Sequence, residues 1–255
     1  MNKSQKYINI QLKKKNKQFY DEAWKRSSII NPSIWPHWNI IKKFKKSIFL
    51  EIGPGNKPKI PIKNNYFLDI SSNAIKNLRR HGGIGYQSNL SKKLPFHDNK
   101  FDVVCAFEVL EHLLNDTFVL TEINRLLKPN GVCLLSFPLH GKLWSDYDHY
   151  CGHVRRYETI ELNTFFKSAG FRIDKYASLK IPWPGKLTSK FIIFLHKLLP
   201  SFFNYISNVL DSLPFAAIRQ KINLIPWTSY HTLNLLFGST GLFLLKKDGI
   251  TKNKV

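Results

Sequence analysis

Cysteine is scarce in this sequence, and long apolar runs are absent. The three cysteines, Cys105, Cys133 and Cys151, are an odd number without C-x-x-C spacing, so neither a zinc site nor a disulfide framework is indicated. A reduced, cytoplasmic setting fits this usage best. No run approaches the roughly 18 apolar residues that span a bilayer, and the basic N-terminus lacks the apolar segment of a signal peptide.

Acidic residues are also few. The chain holds 39 Lys+Arg against 17 Asp+Glu, a formal net charge of +22, and residues 1–50 alone hold 12 against 2. Such an excess favours anionic partners, namely nucleic acid, an anionic membrane surface or a phosphorylated substrate. The alternative is that a composition rich in Lys and Asn only keeps the surface solvated.

Short apolar runs alternate with amphipathic segments along the chain. Because the apolar runs do not alternate with polar residues, they predict strands buried on both faces of a mostly parallel sheet, with helices on either side. This is a doubly wound α/β fold, whose ligand lies beyond the carboxyl ends of the strands. The predicted strands are Ser47–Ile52, Tyr66–Ile70, Gly85–Ser88, Phe101–Phe107, Val132–Phe137, Phe171–Leu179 and Gly241–Lys247.

Helices are predicted between the strands, at Ser72–His81, Asn115–Leu127 and Glu158–Ala169, with Asp116 and Thr117 offering capping side chains to the second. Residues 18–46 also have a mostly helical pattern. The predicted domain organisation is a basic N-terminal arm with helices over 1–46, a cofactor-binding core over 47–180, an amphipathic helical insertion or lid over 181–238, and the last strand with a tail over 239–255.

The first predicted strand runs directly into a glycine-containing loop, IFLEIGPGNKP. Gly53 and Gly55 allow the backbone to approach a ligand closely. Asp69 stands 18 residues after Glu51, at the tip of the second strand, where a carboxylate can bind a ribose diol. Lys57 and Pro58 occupy the positions where dinucleotide-binding loops have a further glycine.

These motifs, continued by SNLSKKLPFHDNKFDVVCAFEVLEHL and EINRLLKPNGVCLLSFP, resemble the class I S-adenosylmethionine-dependent methyltransferases. Within that class, the chain is similar over residues 47–178 to the small-molecule branch that includes ubiquinone-biosynthesis-type O-methyltransferases. The resemblance implies a seven-stranded Rossmann-like sheet with a helical insertion before the last strand. It also implies S-adenosylmethionine as the cofactor, which has no pyrophosphate and therefore needs no further glycine.

The resemblance also implies which residues bind the cofactor. Asn89 stands where the family usually has an Asp for the adenine amino group, and its carbonyl oxygen can still accept a hydrogen bond. Phe107 and Glu108, at the end of the fourth strand, are expected beside the transferring methyl group. The full expected set is Glu51, Gly53, Gly55, Asp69, Asn89, Leu90, Phe107 and Glu108.

The segment EVLEHL is the first candidate for catalysis. If it is helical, Glu108, Glu111 and His112 fall at i, i+3 and i+4 on one face. His112 can then remove a hydroxyl proton from the acceptor, although it can equally cap or pack the helix. Metal binding is not expected, because no third ligand stands at a useful spacing.

The segment DYDHYCGHVRRYE follows the fifth strand, where this fold builds its substrate side. His149 and His153 are candidate catalytic residues, and Arg155, Arg156 and Tyr157 are candidate substrate contacts, since Arg binds carboxylate or phosphate bidentately. The alternative is an ordinary solvated loop in which Arg155 or Arg156 pairs with Glu158.

Residues 191–215 are amphipathic at helical spacing. They can form a lid over the core or an in-plane contact with an anionic membrane, with Lys186, Lys190 and Lys197 near the headgroups. The expected location is therefore cytoplasmic, with a peripheral contact on the inner face of a membrane.

The predicted function is methyl transfer from S-adenosylmethionine to a small or medium acceptor, by O-methylation of a glycan, a lipid-linked intermediate or another metabolite. One alternative is a nucleic-acid methyltransferase, although FEVLEH lacks the Asn/Asp-Pro-Pro-aromatic signature of base-amino methyltransferases. The other alternative is a protein that binds S-adenosylmethionine without catalysis.

Overall fold

The structure is a computed structural model that describes residues 14, 16–25, 27–179, 186–199, 222–227 and 239–248. Residues 1–13 of the predicted arm with helices over 1–46, and most of the predicted insertion over 181–238, lie outside the described residues. Among the described residues, no helix has the length and apolar character needed to cross a bilayer.

Within the described ranges, a single mixed sheet of eight strands forms the centre of the fold. The strand order is β3-β2-β1-β4-β5-β8-β6-β7; β1 to β5 are parallel, and β8 lies antiparallel between β5 and β6. The strand order reverses between β1 and β4, which is where a ligand crevice is expected. The strands are β1 Phe49–Ile52, β2 Tyr66–Asp69, β3 Ile84–Gln87, β4 Phe101–Phe107, β5 Leu127–Pro138, β6 Phe171–Leu179, β7 Ile225–Pro226 and β8 Thr240–Lys247.

Helices connect and cover these strands. Three short 3₁₀ turns, at Pro32–Ile34, Leu110–His112 and Gly141–Leu143, supplement them. The helices are α1 over residues 16–25, α2 Trp38–Ile41, α3 Ser72–Arg80, α4 Asp116–Leu126, α5 Asp146–Cys151, α6 Leu162–Ser168 and α7 Lys186–Leu198.

Both faces of the sheet are covered, which confirms the doubly wound α/β prediction. On one face, Leu120 and Ile123 of α4 and Phe166 of α6 belong to a buried apolar cluster that includes alternate residues of β1, β4 and β5. On the other face, Ile75 and Leu78 of α3 belong to a second cluster, which also includes residues of α2. The parallel strands are buried on both sides because a helical layer packs on each.

The structure differs from the sequence prediction in three places. The sheet has eight strands instead of seven, because the two-residue β7 pairs with Lys175 and Tyr176 at the edge; so short a strand has no pattern to detect. The cap of α4 is Asn115, whose side chain accepts from Phe118 N at 3.1 Å, while the Asp116 carboxylate binds Arg155 and Tyr157. The helix predicted from residue 158 begins only at Leu162.

Phe243 of β8 provides a test of this packing. Its ring is fully buried and lies 5.2 Å from the ring of Phe137 and 5.5 Å from that of Phe166, centroid to centroid. We expect Phe243→Ala to lower the free energy of unfolding by about 3–5 kcal/mol, because it leaves a cavity in the core. The same substitution at Phe191, which is 62% exposed, should change it by less than about 0.5 kcal/mol. Chemical denaturation measures both, and equal losses would contradict the packing described.

Candidate functional site

A large cavity opens beyond the carboxyl ends of β1, β2 and β4, at the predicted crevice. Its volume is about 1770 Å³, more than the roughly 300–1,000 Å³ of an ordinary small-molecule site. It therefore has room for two ligands side by side. Its lining includes Gly53, Asp69, Asn89, Leu90, Phe107 and Glu108 on one side, and Tyr20, Trp35, His37, His112 and His153 elsewhere.

Glu51 shapes the loop that follows β1. Its buried carboxylate accepts from the backbone N–H of Lys59 at 2.9 Å and of Ile60 at 3.3 Å. Burial raises the pKa of Glu51 to about 7. A carboxylate near the end of β1 thus fixes the far end of the loop, and Gly53 lies at the cavity wall.

Asp69 connects the loops that follow β1 and β2. Its carboxylate accepts from Gly55 N and from Ser71 N, both at 2.8 Å. Burial raises the pKa of Asp69 to about 6. The carboxylate lines the cavity and still has lone pairs that a pair of sugar hydroxyls could use.

The two glycines of the loop are required by close contacts. Gly53 has a φ of 68°, and a Cβ there would lie 2.6 Å from Cγ2 of Val109. Gly55 has a φ of 55°, and a Cβ there would overlap the ring of Trp24. Gly53 lines the cavity, whereas Gly55 packs against Trp24 and is not part of the lining.

Helix α1 covers this loop, which the sequence did not indicate. Asp21 accepts from the Ser71 hydroxyl at 2.7 Å and from Ser72 N at 2.9 Å. On the other side, the Asn56 amide donates to the carbonyl of Trp24 at 3.0 Å. The segment expected only as an arm with helices thus forms a wall of the site.

The rim beside the fourth strand has a constrained backbone. Leu90 and Glu108 have φ values of 58° and 56°, a conformation that costs energy in residues other than glycine and is concentrated at functional sites. Asn89 accepts from the Ser91 hydroxyl at 2.6 Å, and Glu108 accepts from the Ser136 hydroxyl at 2.7 Å. Glu108 is not helical, so the predicted helical face over EVLEH does not form.

Two of the three predicted catalytic histidines line the cavity, and the predicted substrate residues do not. The His149 ring packs against Trp144, with centroids 5.0 Å apart. Arg155 and Tyr157 both bind the carboxylate of Asp116, at 2.8 and 2.7 Å. Arg156 is buried and binds Asp148 through two nitrogens, at 2.9 and 3.0 Å. The two arginines thus pair with acids other than Glu158.

His112 and His153 meet at the inner end of the cavity. Their rings are 4.6 Å apart, centroid to centroid. His112 Nε2 lies 3.2 Å from the Tyr20 hydroxyl, and burial lowers the pKa of His112 to about 3. Glu111 lies behind them, with Oε1 at 3.9 Å from His153 Nε2, and burial raises the pKa of Glu111 well above its usual range. The spacing within EVLEHL offered no third metal ligand, and in the fold His153 stands in that place beside Glu111 and His112.

His37 is a further residue that the sequence did not single out. It lines the cavity against the ring of Phe107, at 4.6 Å between centroids. Among the described residues, neither ring nitrogen has a hydrogen-bond partner. Burial lowers the pKa of His37 to about 3, so its ring is neutral at pH 7. The sequence motifs do not include His37, because it belongs to the segment before β1.

Residues 50–135 match the family model of the methyltransferase domain. These residues form a class I S-adenosylmethionine-dependent methyltransferase domain. A protein of Mycolicibacterium smegmatis named "Probable S-adenosylmethionine-dependent methyltransferase" is 32% identical over 97 residues, 37% of this chain and 35% of the relative. The ubiquinone/menaquinone biosynthesis C-methyltransferase UbiE of Psychromonas ingrahamii is 30% identical over 94 residues, 36% of this chain and 38% of the relative.

The matched part therefore spans little more than a third of the length of these relatives. Solved structures agree on the fold. A SAM-dependent methyltransferase of Thermotoga maritima has a TM-score of 0.53 at 16% identity, covering 84% of this chain and 89% of its own. Phosphoethanolamine N-methyltransferase 2 of Haemonchus contortus, in complex with S-adenosylhomocysteine, has a TM-score of 0.50 at 17% identity, covering 90% of this chain and 57% of its own.

The cofactor of this domain is S-adenosylmethionine, and the residues present fit it. Asp69 offers a buried carboxylate for the ribose hydroxyls. Gly53 lines the cavity beside Asp69, where Val109 leaves no room for a side chain. Neither Lys57 nor Pro58 conflicts with this ligand, since it has no pyrophosphate to enclose.

The pKa of Asp69 leads to a test by ligand binding. Ribose hydroxyls donate to the ionised carboxylate, and Asp69 is protonated below about pH 6. The affinity for S-adenosylhomocysteine should therefore fall as the pH is lowered through 6, by up to about tenfold per pH unit. We expect Asp69→Asn to bind at least about tenfold more weakly at pH 7.5 and to lose this pH dependence. Calorimetry measures both effects.

The control for this test is Asp98→Asn. Asp98 has a side chain that is 62% exposed and pairs with Arg125, and it does not line the cavity. Its substitution should leave the affinity and its pH profile unchanged. Wild-type affinity in Asp69→Asn would contradict the assigned role.

Proposed function

We propose that the protein transfers a methyl group from S-adenosylmethionine to a hydroxyl oxygen of a small or medium acceptor, such as a glycan, a lipid-linked intermediate or another metabolite. The observation that carries the proposal is the continuity of the cavity. One space joins the wall of Gly53 and Asp69 to the polar end of Tyr20, His112 and His153. Methyl transfer is an in-line displacement, so holding the two reactants side by side is the main requirement.

The polar end of the cavity supports a hydroxyl acceptor. Bound S-adenosylmethionine supplies the electrophilic methyl group. His112 is neutral at pH 7, because burial lowers its pKa to about 3. Its Nε2 can accept a hydrogen bond from an incoming hydroxyl that replaces the Tyr20 hydroxyl, which has an alternative acceptor in the Cys151 carbonyl. An imidazole with so low a pKa is a weak base, so it orients the hydroxyl more readily than it deprotonates it.

The rest of the lining supports an acceptor with an apolar part. Trp35, Tyr176 and Ile222 line the cavity away from the histidine pair. The relatives differ in their named acceptor atoms, carbon for the UbiE protein and nitrogen for the H. contortus enzyme. The choice of oxygen therefore rests on the polar groups of this cavity.

Transfer of labelled methyl from S-adenosylmethionine into a cell extract tests this function. The extract is separated afterwards into lipid, glycan, RNA and small-molecule fractions. We expect label in the lipid, glycan or small-molecule fraction, and we expect it to survive mild base, because a methyl ether resists the hydrolysis that cleaves a methyl ester. Asp69→Ala should abolish the transfer, because it removes the buried carboxylate that binds the donor. Asp98→Asn is the control.

Label found only in RNA would replace this function with nucleic-acid methylation, which the net charge of +22 also favours. Binding of S-adenosylhomocysteine without transfer to any fraction would favour a non-catalytic role.

We also propose that α7 contacts an anionic membrane surface. Phe191, Phe194 and Leu198 stand at i, i+3 and i+7 and are 62%, 59% and 60% exposed, so they form an apolar stripe. Lys190 and Lys197 are exposed on the same helix, and the chain is strongly basic. α7 packs beside α5, whose Tyr147 and Cys151 line the cavity. A membrane contact there supports delivery of a lipid-linked acceptor.

Sedimentation with vesicles tests this contact. The protein should sediment with vesicles that contain phosphatidylserine more than with pure phosphatidylcholine, because both the apolar stripe and the lysines contribute. The double variant Phe191→Asp and Phe194→Asp should remain in the supernatant. Ile160→Asp is the matched control, since Ile160 is 85% exposed and lies outside α7. Equal sedimentation of both variants would contradict the proposal.

A further inference from the structure

Three side chains at the inner end of the cavity present metal-binding atoms to one another. Glu111, His112 and His153 each offer one ligand atom, and these atoms all lie within 4.8 Å of one another. Two imidazoles and one carboxylate are the ligand set of many catalytic transition-metal sites. The rings of His112 and His153 line the cavity, which gives an ion a path of entry.

Hydrogen bonds fix the histidine rings in the orientation that metal binding needs. His153 Nδ1 lies 2.9 Å from the Asp148 carboxylate, and His112 Nδ1 lies 3.2 Å from the Gly152 carbonyl. Both partners can only accept, so each Nδ1 carries a proton, and Nε2 is the nitrogen left to bind a metal ion. A second contact of this kind, to a carboxylate or a backbone carbonyl, is typical of histidines that bind metal.

Glu111 provides an independent observation. It is fully buried, and among the described residues neither carboxylate oxygen has a hydrogen-bond partner. The Arg156 guanidinium donates two hydrogen bonds to Asp148, so it is already paired with another acid. A buried carboxylate without a partner is costly, and its Oε1 faces Nε2 of His153 at 3.9 Å.

We propose that Glu111, His112 and His153 bind one divalent transition-metal ion at the inner end of the cavity. Imidazole ligands favour zinc, cobalt or iron over magnesium and calcium, which prefer oxygen.

The geometry permits the ion with small movements. Ligands about 2.0–2.2 Å from a tetrahedral ion are about 3.3–3.6 Å apart. The three groups lie within 4.8 Å of one another, so each pair would close by less than about 1.5 Å. The Tyr20 hydroxyl, at 3.2 Å from His112 Nε2, uses the lone pair that the ion would take. It has an alternative acceptor in the Cys151 carbonyl, at 3.5 Å.

The ion's role rests on the proposed function. A coordinated acceptor hydroxyl becomes more acidic and is held at a fixed position. The bound metal ion would then activate the acceptor hydroxyl, which a weakly basic histidine does not do.

Metal binding by the untagged full chain tests the proposal without an acceptor. The protein is freed of metal with a chelator and titrated with Co²⁺, whose visible absorption reports its ligands, and then with Zn²⁺ as a competitor. We expect one equivalent to bind. His153→Ala and Glu111→Gln should each weaken binding by more than the roughly 10–100-fold that loss of an outer contact costs. Tyr20→Phe should bind at least as tightly as wild type, because it removes the competing hydroxyl.

The control is His149→Ala, the same substitution at a histidine outside the cavity, which should bind as wild type. S-adenosylhomocysteine binding without metal verifies that each variant is folded. No binding by the wild type, or binding that survives both His153→Ala and Glu111→Gln, would overturn the proposal. Metal binding that depends on these residues, in a protein that transfers no methyl group, would keep the site and remove the proposed function.

Discussion

The site depends on one buried carboxylate. Asp69 accepts from the backbone of Gly55 and of Ser71, so it fixes the loop after β1 against the start of α3. Ser71 in turn donates to Asp21, which brings α1 onto the same loop. Hydrogen bonds to a charged acceptor are stronger than neutral ones, and leaving such a group unpaired in the interior is costly. The conformation of the cofactor loop, the capping of α3 and the position of α1 are therefore coupled through a single residue.

A second network organises the opposite end of the cavity. Asp148 holds both Arg156 and His153, while Asp116 holds Arg155 and Tyr157. The segment between β5 and α6 thus gains its shape from two buried acids that pair with its own basic residues. Asp148 holds His153 beside Glu111 and His112. Arg155, Arg156 and Tyr157, which were predicted as substrate contacts, instead pair with the two acids behind the polar end of the cavity.

Much of the fold could be predicted from the sequence, because strands buried on both faces leave unbroken apolar runs and β1 leads directly into Gly53 and Gly55. The donor side of the site could also be predicted, since Asp69 and Glu108 stand at strand ends whose positions follow from the sheet. The polar end of the cavity could not be predicted from the sequence. Glu111, His153 and Tyr20 come from separate elements, and local spacing cannot show that they meet. His149, Arg155 and Arg156 were attractive as polar residues near the site. Their side chains instead contact Trp144, Asp116 and Asp148, respectively.

The Trp24 ring lies over Gly55, in the space that a side chain there would occupy. The donor therefore binds in a pocket whose cover comes from a separate stretch of chain, joined to the core by the hydrogen bonds of Asp21 and Asn56. Ligand occupancy and the folding of this cover are thermodynamically linked, since a ligand that contacts both stabilises their association. A substitution that weakens the docking of α1 should therefore also weaken binding of the ligand.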